Sequence, residues 1–433
     1  MKQIRLLALQ LILCGTLHAQ QLSDTTYTAD YLDRSTRFAW TTLGGDLTLL
    51  PGGHIELPNR GRTDFGPTLM PRLTLGGIHF WGHADFYVTF PLPLRKNFSG
   101  APFESVHYAE GIETGARVYP WRLRAGTLRP YIGISFKPLS YGHALPETDY
   151  GVGFPRNQRF VGPVQAGLTY ATPSFLFTGG IHLLRKRNFQ YAITPEQETS
   201  GAFHALSFTL GVVRYWDLDR DARTERGVQQ ENLKHHLLEK NNKMSAFYWA
   251  VGPSAALQLG KSPYLKNQHP ALYRTLTGGF MLDVALGYHW ARPDLNVGLS
   301  YRFMGDEIGA FDTRLRLQRH SFMLETYKFL FNYLGFVPYA GVTLSMENLR
   351  LRVNDQQIAE QKPAFGFIAG WDIRVTRTGS SLLRTNLRYI PGLALMVDGE
   401  RMRFDHLEFN FIQYVRYIGR ERFYGGFRKK QSR

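Results

Sequence analysis

Charged residues at alternate positions of otherwise apolar stretches are the first feature that could do chemistry. Asp46, Asp85, Glu113, Asp283, Glu347, Asp372 and Glu408 supply acid; Arg72, Arg117, Arg302, Arg374, Arg384, Arg388 and Arg416 supply base. If these side chains share an enclosed face, two roles are open. They can neutralise one another in buried ladders, or they can line a wet constriction that selects a solute. The two signs are matched, so no anion preference follows. His79, His83, His107 and His182 fall in one half of the chain and read as interfacial or enclosed polar groups, as do His320 and Glu325 on one later segment. No Gly-x-Ser-x-Gly elbow is present, and no Ser, His and acid set stands out. Asp217 to Asp221 begins like a calcium loop, but the sixth and twelfth positions are Ala222 and Val228 instead of Gly and Glu. His235-His236 lacks a third ligand, and Gly151-Val152-Gly153 is a turn signal. Neither an enzyme, a metal site nor a cofactor is expected.

The elements that must position these charges have a period of two. Phe365, Phe367, Ala369, Trp371 and Ile373 alternate with Gly366, Gly370, Asp372 and Arg374; Leu295, Val297, Leu299, Tyr301 and Phe303 alternate with Asn296, Gly298, Ser300 and Arg302. Ala340 to Met346 and Phe86 to Leu92 repeat the pattern. In the 433 residues there are 43 Gly, 30 Phe and 23 Tyr, and 43% of residues are hydrophobic. This excludes a disordered chain. After the first residues no run of about 18 apolar residues occurs, which excludes a bundle of membrane helices. Bulky outer faces, Gly and charge on the other face, and strands of about 10 to 16 residues fit strands crossing a bilayer better than a soluble sandwich.

Sixteen strands are expected, at 38–50, 68–80, 84–93, 104–119, 128–140, 159–171, 174–184, 203–216, 245–259, 275–289, 294–304, 314–330, 336–350, 362–377, 381–394 and 403–418. Long connections follow odd strands and short ones follow even strands. Aromatic residues gather at the short turns, at Phe80-Trp81, Tyr119 to Trp121, Tyr215-Trp216, Tyr288 to Trp290, Phe331, Tyr333 and Tyr417. They read as an interfacial girdle.

The halves repeat. Leu73, Trp81, Asp85 and Val88 recur as Leu282, Trp290, Asp294 and Val297 at an offset of 209. Phe38 and Trp40 match Phe247 and Trp249; Pro130-Tyr131 and Gly133 match Pro338-Tyr339 and Gly341; Val213-Arg214-Tyr215 matches Val415-Arg416-Tyr417. Collinear order implies a duplicated eight-strand unit. The expected organisation is a signal peptide (1–19), an N-terminal periplasmic extension (20–36), a first repeat (37–216), a polar periplasmic linker (217–243), a second repeat (244–419) and a basic tail (420–433). The fold class is all-β: a transmembrane antiparallel up-and-down barrel of about sixteen strands. Closure as one barrel is the expected arrangement, and two tandem eight-strand barrels are the alternative.

Lys2, Arg5, the apolar Leu6 to Leu13 and the site Leu17-His18-Ala19 form the signal, with Cys14 as the chain's lone cysteine. Export makes the net charge of +16 a poor argument for nucleic acid, and part of it lies in the tail from Arg428 to Arg433. With the segments LRPYIGISF (128–136) and LEFNFIQYVRYIG (407–419), the chain resembles Gram-negative outer-membrane β-barrel proteins. The resemblance implies residence in the outer membrane, contact with outer-membrane lipid and lipopolysaccharide, and assembly by the barrel-insertion machinery. Because Tyr417 is followed by a tail, the insertion signal is expected to be internal. The functional expectation is a passive channel for small hydrophilic solutes. The alternative is a non-conducting barrel that anchors or interacts at the surface, and an outer-membrane lipid hydrolase or acyltransferase is a third reading.

Overall fold

The computed structural model describes residues 40–146, 148–217, 225–258, 261–275, 278–333, 335–374 and 378–420. The expected signal peptide, N-terminal extension and basic tail beyond Arg420 lie outside them, as do Phe38, Val375 and the segment 218–222.

Alternating sequence becomes strand because each strand has one face for hydrocarbon and one for an interior. Eight strands close the first barrel: Trp40–Leu50, Thr68–His79, Ala84–Pro91, Glu113–Val118, Thr127–Ala144, Val164–Ala171, Phe175–Leu183 and Leu206–Asp217. The first of these pairs with the second, Asp46 opposite Arg72, and also with the last, Leu49 opposite Phe208. Eight more close the second barrel: Ala246–Gln258, Gly278–Trp290, Leu295–Ala310, Thr313–Phe329, Phe336–Val353, Gln356–Ile373, Ser381–Tyr389 and His406–Tyr417. Its seam pairs Tyr248 with Tyr417 and Leu257 with Leu407. The duplication is thus two tandem barrels, and closure of sixteen strands into one wall is corrected. The Leu206–Asp217 strand ladders to Trp40–Leu50 of its own repeat and not to Ala246–Gln258. Between the repeats stands a 16-residue helix, Glu225–Lys240. Such a helix is about 24 Å long, far longer than a hairpin that would make consecutive strands neighbours.

Above the first wall, Gly53–Leu57, Gly61–Phe65, Asn188–Ala192 and Glu198–Phe203 form a separate four-stranded sheet. Ser105–Glu110 and Asn157–Val161 ladder onto the upper part of Thr127–Ala144. The second barrel has instead a short helix, Pro263–Gln268, and a hairpin, Ala394–Val397 with Glu400–Arg403. The hairpin turns at Asp398-Gly399, both left-handed with φ of 50° and 80°. This is the conformation that an Asp-Gly turn supplies cheaply.

The barrels touch at both ends. On the long-loop side Val152 N donates to Phe311 O at 2.7 Å and Phe311 N to Gly153 O at 2.8 Å. Arg274 makes two bonds to Glu198, at 3.0 and 2.8 Å. On the short-turn side the rings of Phe80 and Phe336 lie 6.1 Å apart.

Candidate functional site

Each lumen is filled in three layers, and the inward positions of one strand trace them. On Thr313–Phe329 these are Leu315 and Leu317, then Arg319, Ser321, Met323 and Glu325, then Tyr327 and Phe329. On Thr127–Ala144 the order runs from Tyr131 through Ser135 and Lys137 to Leu139 and Tyr141. An aromatic layer therefore lies at the short-turn end, charge in the middle and an apolar layer above. The inward glycines make room for the rings. A Cβ on Gly180 would fall 2.2 Å from the Tyr131 hydroxyl, and one on Gly287 2.5 Å from that of Tyr248.

In the first barrel Arg72 reaches Asp46 and Glu113 at 2.5 Å each and Glu110 at 3.2 Å. Lys137 pairs with Glu110 and lies 3.4 Å from Glu113. Arg117 pairs with Asp85 at 2.9 Å and stands over the Tyr87 ring at 4.1 Å. In the second barrel Glu408 bridges Arg302 at 2.8 Å and Arg319 at 2.7 Å, and Arg319 also holds Glu347 at 2.7 Å. Arg388 joins Asp283 at 2.5 Å to Glu325 at 2.7 Å. Arg384 makes two bonds to Asp372, at 2.7 and 3.0 Å. Such charges tolerate burial because each guanidinium has carboxylates on more than one side or an aromatic face to rest on. Arg374 sits at the lower rim, 3.7 Å from Asp372 and 4.3 Å from the centre of the Phe329 ring.

Arg416 is a correction. Counting in twos from Glu408 puts it inside, but the ladder shifts register between Val251 and Ser254, and the extra residue reverses the parity of His406–Tyr417. Gln413, Val415 and Tyr417 face inward, and Arg416 lies outside with Tyr414, 3.3 Å from its hydroxyl. Its repeat mate Arg214, an exposed residue between buried Val213 and Tyr215, has the same facing. The girdle also divides. Trp121 and Trp290 face out, whereas Tyr119, Tyr215 and Tyr417 turn into the lumen.

Sequence reasoning missed Glu110, Lys137 and Arg319 and passed over Glu325. The break at Gly111-Ile112 hides Glu110 by resetting the alternation before Glu113. Arg319 was open to discovery from the inward run of its own strand. His182 comes 3.3 Å from the Thr209 hydroxyl and 3.8 Å from Glu113. That hydroxyl is buried and lies 3.2 Å from Thr48, so this trio does not present a free nucleophile. His79 is enclosed, His83 is at a short turn and His320 is on the outer face beside Tyr301. His107 is 3.4 Å from Arg95.

Outside, the walls are apolar. Ile132, Leu168 and Leu210 on the first barrel, and Phe280, Leu286, Leu299 and Phe322 on the second, are each roughly half exposed or more. Among the described residues the eight wall strands of each barrel close on themselves, so the belt has no open edge strand, which a hydrocarbon solvent demands. The fold and this surface define an outer-membrane β-barrel protein made of two eight-strand barrels.

No protein-family profile matches the chain, and no curated protein matches it. Among solved structures, Neisserial surface protein A is 16% identical, covering 40% of this chain and 97% of its own, with a TM-score of 0.29. Ail, the attachment invasion locus protein of Yersinia pestis, is 9% identical over 40% of this chain and 97% of its own, with a TM-score of 0.27. An outer-membrane channel from Pseudomonas putida F1 is 9% identical over 89% of this chain and 97% of its own, with a TM-score of 0.23. The class rests on the closed ladders and the apolar belt, not on these likenesses.

Proposed function

We propose that the protein is a non-conducting double barrel of the bacterial outer membrane, anchoring a rigid extracellular face for surface interaction. One observation supports this above all: each lumen has a dry layer across it. In the first barrel Ile55, Phe65, Tyr141, Tyr191 and Phe203 are packed with almost no exposure; in the second, Leu317, Leu351, Leu395, Met402 and Phe404 are. A passive channel for small hydrophilic solutes needs a continuous wet path, and eight strands leave an interior that side chains can fill. Ion pairs satisfied by one another give a passing solute little to replace its water with. The lumen charges act here as a structural network. Lipid and lipopolysaccharide contact the outer belt, the barrel-insertion machinery assembles the walls, and neither nucleic acid nor catalysis has a part.

Conductance in planar bilayers tests this. Folded protein is expected to be silent. Stable ionic steps from protein that keeps its heat-modifiable mobility would restore the channel reading.

A further inference from the structure

We infer that the first barrel carries a site for the phosphoryl group of an outer-leaflet glycolipid, formed by Arg95, His107 and Arg156. The three arrive from separate segments. Val106 and Tyr108 pack against the aromatic core of the cap, so His107 between them faces outward. Its ladder partner is Gly142. The space of the missing side chain is taken from outside: a Cβ on Gly142 would fall 2.8 Å from the Phe154 ring. Arg156 lies over that ring, 5.9 Å from its centre, and its carbonyl accepts from the Thr275 hydroxyl of the second barrel at 2.7 Å. From another segment Arg95 Nη1 reaches His107 Nε2 at 3.4 Å. Two guanidiniums thus gather around one imidazole.

This cluster has no acid. Among the described residues neither guanidinium has a carboxylate partner. Burial and then the Arg156 charge hold Arg95 below its usual value, and burial, Arg95 and Arg156 together push His107 down to about 3. The ring is therefore neutral. With Nε2 accepting from Arg95, its proton sits on Nδ1 and makes a further donor. Two guanidinium forks and one imidazole N–H form a donor set for a tetrahedral phosphoryl group. A bound anion also removes the repulsion between the two cations, which nothing else there offsets.

Its level on the wall says where the phosphoryl group comes from. Lys96, next to Arg95, pairs with Leu69, Leu69 with Leu49, and Leu49 with Phe208. Leu49 and Phe208 are exposed at the upper end of the apolar belt, so this row lies where hydrocarbon gives way to headgroups. On the same segment Leu94 and Phe98 are 76% and 51% exposed, and Lys96 Nζ stands 5.1 Å from the centre of the Phe98 ring. Bare apolar side chains beside bases suit a lipid interface, with acyl chains on the first and a charged head on the second. A free anion would use the bases and leave Leu94 and Phe98 in water. The site is on the outer face and does not depend on whether the lumen conducts. Conductance tests the reading above, lipid retention tests this one, and the two fail separately.

The test uses the full chain in dodecyl maltoside micelles with radiolabelled diphosphoryl lipid A, separated by gel filtration. Saturable retention is expected. Arg95→Gln combined with Arg156→Gln should weaken it by about tenfold or more, or about 1.4 kcal/mol. Lys266→Gln, a charge lost from an exposed position on the second barrel, should leave it unchanged. Heat-modifiable mobility reports that the variants are folded. Dephosphorylated lipid A, with the same acyl chains, should bind at least about tenfold more weakly, and neither inorganic phosphate nor heparin should displace the probe. Wild-type retention by the folded double variant, an equal loss in Lys266→Gln, or equal binding of dephosphorylated lipid A would each overturn the proposal. So would displacement by inorganic phosphate, which would make the ligand a free anion, or by heparin, which would make it a water-borne polysaccharide.

Discussion

Tyr131 of the first barrel and Tyr339 of the second occupy equivalent places low in their lumens, as do Tyr215 and Tyr417. Elsewhere the correspondence fails. Asp85 lies inside, paired with Arg117, whereas its repeat mate Asp294 sits in a turn with φ of 51° and holds His289 at 3.1 Å. The stoppers differ more. The first barrel is covered by wall strands that continue upward and by a small sheet whose aromatics pack together, with Phe189 and Phe203 centred 4.4 Å apart. The second is filled by a separate hairpin and a short helix, Pro263–Gln268. After duplication the lower layer kept its residues because turn ends and ring-over-glycine packing are specific, while any dry filling of the right volume serves above.

The comparison predicts that the second stopper is separable and the first is not. Replacing residues 393–404 with a short Gly-Ser link should convert silence in planar bilayers into ionic steps, the largest effect expected. Continued silence in folded protein would mean that the charge layer alone closes the lumen. The charge layers should differ in stability next. Glu408→Gln leaves Arg302 and Arg319 both short of a partner, and should cost about 3–5 kcal/mol by denaturant unfolding. Asp85→Asn leaves Arg117 over the Tyr87 and Tyr131 rings, and should cost about 2 kcal/mol less. Equal losses would mean that the rings contribute nothing. At the clamp between the barrels, Arg274 and Glu198 are each about a third exposed. Arg274→Ala should therefore cost only about 0.2–1 kcal/mol, and a double-mutant cycle with Glu198→Ala would isolate the pair.

The smallest effect concerns Lys261 beside this clamp. Burial, and then the Arg274 charge, push its ammonium down to about 8 from 10.5. The folded chain gives up this proton before the unfolded chain does. Stability should rise as pH climbs from about 8 to 10.5, with no gain from this residue below that window. Lys261→Gln should remove that slope in thermal unfolding followed against pH. A slope unchanged in the variant would assign it elsewhere.

Much of the wall was legible. All sixteen expected strands have counterparts, because period two sustained over this length marks a strand whose two faces meet unlike surroundings. The charged candidates were legible wherever alternation runs unbroken, as from Asp372 to Phe365 and from Arg302 to Leu295. They were misjudged or missed where an extra residue or a break resets the parity, at Arg416 and Glu110. The cap sheet gave no warning, since Gly53–Leu57 and Gly61–Phe65 are five residues each. Strands that short carry too little alternation to separate from loop.

By itself the sequence determined strand, facing and repeat, because the two faces of a strand see different solvents and each residue declares its solvent locally. Closure and filling were decided only in three dimensions. The seam, with Leu49 beside Phe208 and Asp46 beside Gly211, joins residues far apart in the chain, and duplication makes the seams of one large barrel and two small ones equivalent in sequence. Which loop enters which lumen depends on the volume left inside the closed wall, and no local pattern encodes that.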